Sequence, residues 1–189
     1  AFQAAWTYAC KHTGGSTFVV PRGEFLVGPI SFCGPCNKSP NVEIRGTLKA
    51  PPNPSAFKEP IWLEFRDLSS VNITGAGPWS CVGSLGKYPN EEDVNRVHVQ
   101  NCTLIGTDNG VRVKSWSGSP PSKASNLKFE DIIMTNVKNP IILDQEYCPG
   151  KGKGCQTKVK ISDVLFKKIK GTGTTKSESN FGVQFKYAL

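Results

Sequence analysis

The chain has 189 residues, with 23 Lys and Arg against 15 Asp and Glu, a formal charge of +8. At 38% hydrophobic and 20% charged it is long and apolar enough for one domain with a sizeable core, which excludes wholesale disorder. Its longest apolar runs, such as Phe18–Pro21 and Ile132–Met134, are too short to span a bilayer. The positive balance points to an anionic partner, whether nucleic acid, anionic membrane or acidic polysaccharide.

In chain order, the first segment is the only helical one. Ala1, Phe2, Ala5, Trp6, Ala9 and Cys10 recur at helical spacing and Gly14-Gly15 ends the pattern, which predicts one amphipathic helix over residues 1–12. The chain opens directly into this segment without a signal peptide, as a processed or truncated chain would.

The rest of the chain is a repeat. Val42-Glu-Ile44, Val71-Asn-Ile73, Val97-His-Val99, Leu127-Lys-Phe129 and Val159-Lys-Ile161 share an apolar–polar–apolar pattern followed by Gly, Asn or Asp. Their starts step by 29, 26, 30 and 32 residues. Second runs (Cys102–Ile105, Ile132–Met134) and third runs (Gly110–Val113, Pro140–Leu143) complete the units. A period near thirty, without a second helix or a leucine ladder, describes the coils of a parallel β-helix. Asn, Asp and Gly at the corners tolerate the left-handed backbone of a sharp turn. A β-sandwich is the alternative, but whole units recur here and not only strands. The expected fold is therefore all-β: one domain, 1–189, of roughly six to eight coils, its first coil capped by the helix. The five runs should stack in order with their apolar residues inward.

Seven cysteines and three acceptor sequons, at Asn37, Asn72 and Asn101, favour the secretory pathway. Cys33-Gly-Pro-Cys36 lacks a second ligand pair for zinc, and no metal or cofactor is expected. Cys148 and Cys155 bracket a short Gly- and Lys-rich loop and are expected to pair. The odd total leaves at least one thiol unpaired or joining two chains, with Cys81 the chosen candidate.

Several motifs together resemble plant polygalacturonases of glycoside hydrolase family 28, the pollen exopolygalacturonases above all. These are Val82–Tyr88, Asn101-Cys-Thr103, Gly106–Gly110, Arg112-Val-Lys114 and Asp144–Cys148, with Gly14–Pro21, Leu26–Pro29 and Gly46–Pro51 upstream. The resemblance implies a right-handed parallel β-helix, secretion to the plant cell wall, a Cys10–Cys36 disulfide and metal-free hydrolysis of α-1,4-galacturonan. It also implies substrate-binding roles for Arg112, Lys114 and Tyr147, the two basic residues on the sugar carboxylate and the tyrosine lining the cleft. Two apart on a strand, Arg112 and Lys114 leave the same face, and Arg and Lys suit an anionic sugar.

The same resemblance exposes losses. The family's Asn-Thr-Asp, Asp-Asp and Gly-His-Gly motifs, which supply acid, base and a nearby histidine, are absent, and Pro78 stands where the histidine is expected. Central coils read as lost near 75–81, and residues 175–189 diverge. Hydrolysis is therefore expected to be lost while acidic-polysaccharide binding survives. The alternative is a secreted non-catalytic binding, antimicrobial, inhibitor or allergen-like protein. Of the other carboxylates, Glu91-Glu92-Asp93 reads as a solvated loop and Asp108 as a turn residue, while Asp144 and Glu146 flank the cleft by resemblance. His98 is expected to face solvent. Nucleic acid and membrane are not expected as partners, and a homo-oligomer is one way to cover the open coil ends.

Overall fold

The computed structural model describes residues 1–51, 53, 55, 63–75, 81–87, 89–91, 93–148, 156–173 and 181–187, with backbone alone for 81, 82, 84 and 181–187. One helix, α1 (Phe2–Lys11), precedes the strands. Strands β1 (Thr17–Val20), β2 (Glu24–Leu26) and β3 (Ile30–Cys33) form the first coil, and β4 (Asn41–Ile44), β5 (Thr47–Lys49) and β6 (Leu63–Arg66) the second. Then come β7 (Val71–Gly75) with β8 (Cys81–Leu85), β9 (Val94–Ile105) with β10 (Asn109–Trp116), and β11 (Ser122–Thr135) with β12 (Asn139–Tyr147). Strands β13 (Val159–Ile161), β14 (Val164–Gly171) and β15 (Phe181–Tyr187) end the chain.

Six of these line up as successive parallel rungs of one sheet, in the order β1-β4-β7-β9-β11-β14. The other walls are β2-β5, β3-β6 and β12-β10-β8, each parallel as well. The architecture is a right-handed parallel β-helix.

The corners explain why β9 and β11 are long yet bent. Arg96, Asn126 and Asp163 take positive φ at one corner, and Asn101, Asp131 and Lys168 at the next. Gly106 and Asn136 do so at a third. The ladder register places them over one another, since Val97 pairs with Leu127 and Leu127 with Val164. Each turn therefore costs its backbone strain at the same place in successive coils, mostly at residues that tolerate it. Side-chain amides add rungs of their own: Asn72 Nδ2 donates to Asn41 Oδ1 (3.1 Å), Asn126 Nδ2 to Asn95 Oδ1 (2.8 Å) and Asn139 Nδ2 to Asn109 Oδ1 (3.2 Å).

The expected inward residues Val42, Ile44, Ile73, Val97, Val99, Leu127, Phe129, Val159 and Ile161 are all buried, and Val71 is half-buried against them. Phe129 and Phe166 stack on adjacent rungs with ring centroids 5.3 Å apart. Two details of the expected stacking are corrected. The fifth run, Val159–Ile161, does not sit over Leu127–Phe129; it pairs with Ser122–Ala124, and Val164–Phe166 takes the rung position. The cause is Asp163, which turns the corner before the rung and not after it. The second correction lies between β4 and β7, where Val42 faces Ile73 and Ile44 faces Gly75, two residues out of the motif alignment. Gly75 allows this because its φ is +116° and a Cβ there would run into the Ile44 carbonyl.

His98 is also not simply solvated. Its Nε2 lies 2.9 Å from Glu130 Oε2, and Lys167 Nζ donates to Glu130 Oε1 at 3.1 Å, so three adjacent rungs are tied across their outer face. Hydrogen bonding from Lys167 first, and from His98 after it, holds the Glu130 carboxyl below its ordinary value of 4.5.

The two ends are finished differently. At the first coil, Trp6 is buried against Phe18, Phe32 and Phe65, with centroids 5.2–5.9 Å away, and its Nε1 donates to the Cys33 carbonyl at 3.0 Å. A Cys10–Cys36 disulfide and the Asn37 N–H on the Cys10 carbonyl fasten the helix there. At the last coil, β15 runs antiparallel to β14, which breaks the parallel order. Between the ends, β7 pairs with both β4 and β9, so the main sheet continues past the segment 76–80, which lies outside the described residues.

Phe129→Ala should lower unfolding stability by about 3–5 kcal/mol in a denaturant titration, because it empties a fully enclosed ring site. Glu130, whose folded pKa is depressed, stabilises the fold above its ordinary value and loses that contribution as pH falls through the folded value. In thermal scans, Glu130→Gln should therefore melt below wild type at pH 6, with the gap closing as the buffer is taken below pH 4.5.

Candidate functional site

Strand β10 alternates buried Val111, Val113 and Ser115 with outward Arg112, Lys114 and Trp116. The inward set belongs to the core, so the strand cannot roll without exposing it. In the next coil β12 lies alongside, with Arg112 opposite Ile142 and Lys114 opposite Asp144. A register shift after Lys114 then brings Tyr147 opposite Trp116.

These side chains converge. Arg112 Nη2 donates to Asp144 Oδ2 at 2.7 Å, with both side chains only 20–25% exposed. Arg112 also lies over the Tyr147 ring, 5.2 Å from its centroid, and its buried Nε has no hydrogen-bond partner among the described residues. Lys114 Nζ is 4.1 Å from the same ring centroid. Tyr147 and Trp116 meet edge-on at 5.5 Å, and Lys87 Nζ is 5.7 Å from the Trp116 ring centroid. The result is a strip of two adjoining aromatic rings and three cations.

The charges are not equivalent. Arg112 is already neutralised by Asp144, whereas Lys114 forms no ion pair among the described residues. An incoming anion would find Lys114 the more available cation. Arg112, Lys114 and Tyr147 are thus brought together, and sequence reasoning missed Trp116. The signal was present, because Trp116 continues the two-residue stride of Arg112 and Lys114 along one face. Lys87 follows β8, in a segment that adjoins the strip.

The remaining candidates have structural attachments. Glu91 Oε2 accepts the Gly86 N–H at 2.6 Å and Asp93 Oδ1 accepts the Lys123 N–H at 2.7 Å, so the two described carboxylates of this loop each hold a backbone N–H. Glu92 and Pro78 lie outside the described residues. Asp108 is exposed, and its carbonyl accepts from the N–H and Nδ2 of Asn139. Asp144 Oδ1 accepts the Glu146 N–H at 3.2 Å, and Glu146 itself is exposed. Among the described residues no cluster of three or more His, Cys, Asp or Glu could hold a metal.

Cys148 is disulfide-bonded, while Cys155 and the side chain of Cys81 lie outside the description. The free thiols among the described residues are Cys33 and Cys102. Cys102 points into the core, where burial pushes its pKa up to about 12.

Known proteins match the chain over most of its length. The profile of Glycosyl hydrolases family 28 matches residues 10–81 and 79–186, two segments that meet at the β7–β8 junction. An exopolygalacturonase of Arabidopsis thaliana is 60% identical over 104 residues, which is 55% of this chain but only 24% of that protein. An exopolygalacturonase of Oenothera organensis is 28% identical over an alignment of 298 residues, covering 93% of this chain and 82% of the relative. A polygalacturonase of Gossypium barbadense is 26% identical over 292 residues, covering 90% and 72% respectively. Those two alignments are far longer than the 189 residues this chain can supply. With matched segments running from its first coil to its last strand, the chain belongs to glycosyl hydrolases family 28.

Proposed function

We propose that this chain is a secreted, cell-wall protein that binds pectate and has lost hydrolytic turnover. The observation that carries the reading is the strip of Lys114, Arg112, Tyr147 and Trp116 on two adjacent coils. A galacturonate unit combines a carboxylate with a pyranose ring. Lys114 offers the carboxylate a cation without a competing ion pair among the described residues, and the aromatic faces offer the ring an apolar platform. Kinship to exopolygalacturonases and polygalacturonases supports pectin as the polymer.

The loss of turnover rests on the carboxylates. Inverting hydrolysis needs a protonated acid and a carboxylate base on opposite sides of the bond, with room for water. Neither an Asn-Thr-Asp nor an Asp-Asp occurs in the sequence. Asp144 is held by Arg112, and Glu146, two residues on, shares its strand instead of standing across a sugar from it. Two carboxylates so placed can orient cations but do not bracket a scissile bond.

Calorimetric titration with oligogalacturonate should show binding that weakens as salt rises, since exposed ion pairing is screened within about 8–10 Å. Lys114→Ala should weaken it about tenfold, a change of ~1.4 kcal/mol. Arg112→Ala should weaken it as well, by leaving Asp144 uncompensated beside the incoming anion. Lys49→Ala, whose lysine pairs with Glu24 on another wall, should leave affinity unchanged. Equal losses for Lys49 and Lys114 would reduce the interaction to net charge.

Turnover is a separate measurement. Reducing-end release from polygalacturonate should not exceed the buffer blank. Release that survives repurification and disappears in Asp144→Asn would overturn the loss of catalysis.

A further inference from the structure

The three sequons differ in what the folded chain leaves to them. We infer that Asn101 is the N-glycosylation site of this protein, and that Asn37 and Asn72 stay unmodified in the folded form. The inference rests on the proposed secretion for its occurrence in nature, but the choice among sites comes from geometry alone.

Asn37, which is exposed, and Asn72, which is half-buried, each have their amide held in one orientation by a hydrogen bond to the fold. Asn37 Nδ2 donates at 2.7 Å to the Lys11 carbonyl at the end of α1, beside the Cys10–Cys36 bridge, and its backbone N–H is taken by the Cys10 carbonyl. Asn72 is a ladder rung: its Nδ2 donates to Asn41 Oδ1 at 3.1 Å, and its Oδ1 is buried without a partner among the described residues. A sugar on that nitrogen would have to enter a half-buried space between the coils of Asn41 and His98, which flank Asn72 in register. The sequon hydroxyls are engaged too, Ser39 Oγ with Ser69 Oγ and Thr74 Oγ1 with the Val42 carbonyl, both at 3.4 Å.

Asn101 is free of such duties. It stands exposed on a corner with φ +53°, and its side chain makes no hydrogen bond among the described residues. Its neighbours in the corner column are turned elsewhere or lack bulk. On one side Asp131 pairs with Lys168 at 3.4 Å. On the other, Thr74 pairs with Gln100, so the residue after Thr74 toward the Asn101 corner is Gly75, which has no side chain. The middle residue of the sequon, Cys102, is buried and free, so no disulfide crosses the motif. The corner is separated along the chain from the Arg112–Trp116 strip by the turn at Gly106.

The modification is an oligosaccharyl transfer from a lipid-linked pyrophosphate donor. A bond forms between sugar C1 and Asn101 Nδ2, the C1–oxygen bond to pyrophosphate breaks, the lipid pyrophosphate leaves, and the amide nitrogen gives up one proton. The retained N–H and the carbonyl remain in solvent.

The test is secretion of the full chain from a eukaryotic host behind a heterologous signal peptide, so that the native destination of the protein does not enter. The soluble, folded fraction is treated with peptide N-glycosidase, which converts each glycosylated Asn to Asp, and mapped by mass spectrometry. Conversion is expected at Asn101 and not at Asn37 or Asn72. Thr103→Ala, which removes the sequon without touching the corner residue, should abolish the glycan mass. Ser39→Ala and Thr74→Val should leave the mass unchanged. An unmodified Asn101, or conversion of Asn37 or Asn72 in the folded fraction, would overturn the assignment.

Discussion

Everything in this molecule depends on turning the chain at the same angular positions in successive coils. A parallel rung gains its ladder bonds and its buried neighbours only if the coil beneath presents a strand of the same direction and phase. The left-handed corners at Arg96, Asn126 and Asp163, and again at Asn101, Asp131 and Lys168, enforce that phase. Once they stack, Val97, Leu127 and Val164 fall into one buried column. Each coil then serves as the floor for the next, and stability is shared between neighbours and not concentrated in one distant contact.

The same constraint fixes the strip of cations and aromatic rings. Arg112 and Lys114 face outward because Val111, Val113 and Ser115 cannot, and Asp144 meets Arg112 because the next coil repeats the turn one rung later. The pairing of Tyr147 with Trp116 needs something more, a local register shift that the regular repeat would not supply. Irregularity in the wall thus assembles the aromatic half of the strip, while regularity assembles the charged half.

Much of this is legible in the residues, and the failures have physical causes. The alternation of Val97-His-Val99 and Leu127-Lys-Phe129 announces which side is core, and the Asn and Asp residues announce the corners. The motif cannot say on which side of a rung its Asp lies, which is why Val159–Ile161 reads as the rung when the rung is one segment later. Nor can it reveal that Gly75 lets β7 slide two residues against β4, since that depends on a backbone contact with Ile44. Trp116 is legible from its stride, but charge draws attention to its neighbours first. The tie between His98 and Glu130 joins residues 32 apart and needs the coil height to be known.

The reversed strand β15 changes what the edge of the main sheet can accept. A stack of parallel rungs is open-ended, and the bare edge of its last coil is a template on which another copy could continue the same stack indefinitely. With its chain direction reversed, β15 offers an edge on which the in-phase parallel succession no longer repeats. The helix fastened by Cys10–Cys36 blocks the opposite mouth with aromatic bulk. In-phase parallel pairing is thus disfavoured at these two edges by unlike means, aromatic packing at one and reversed chain direction at the other.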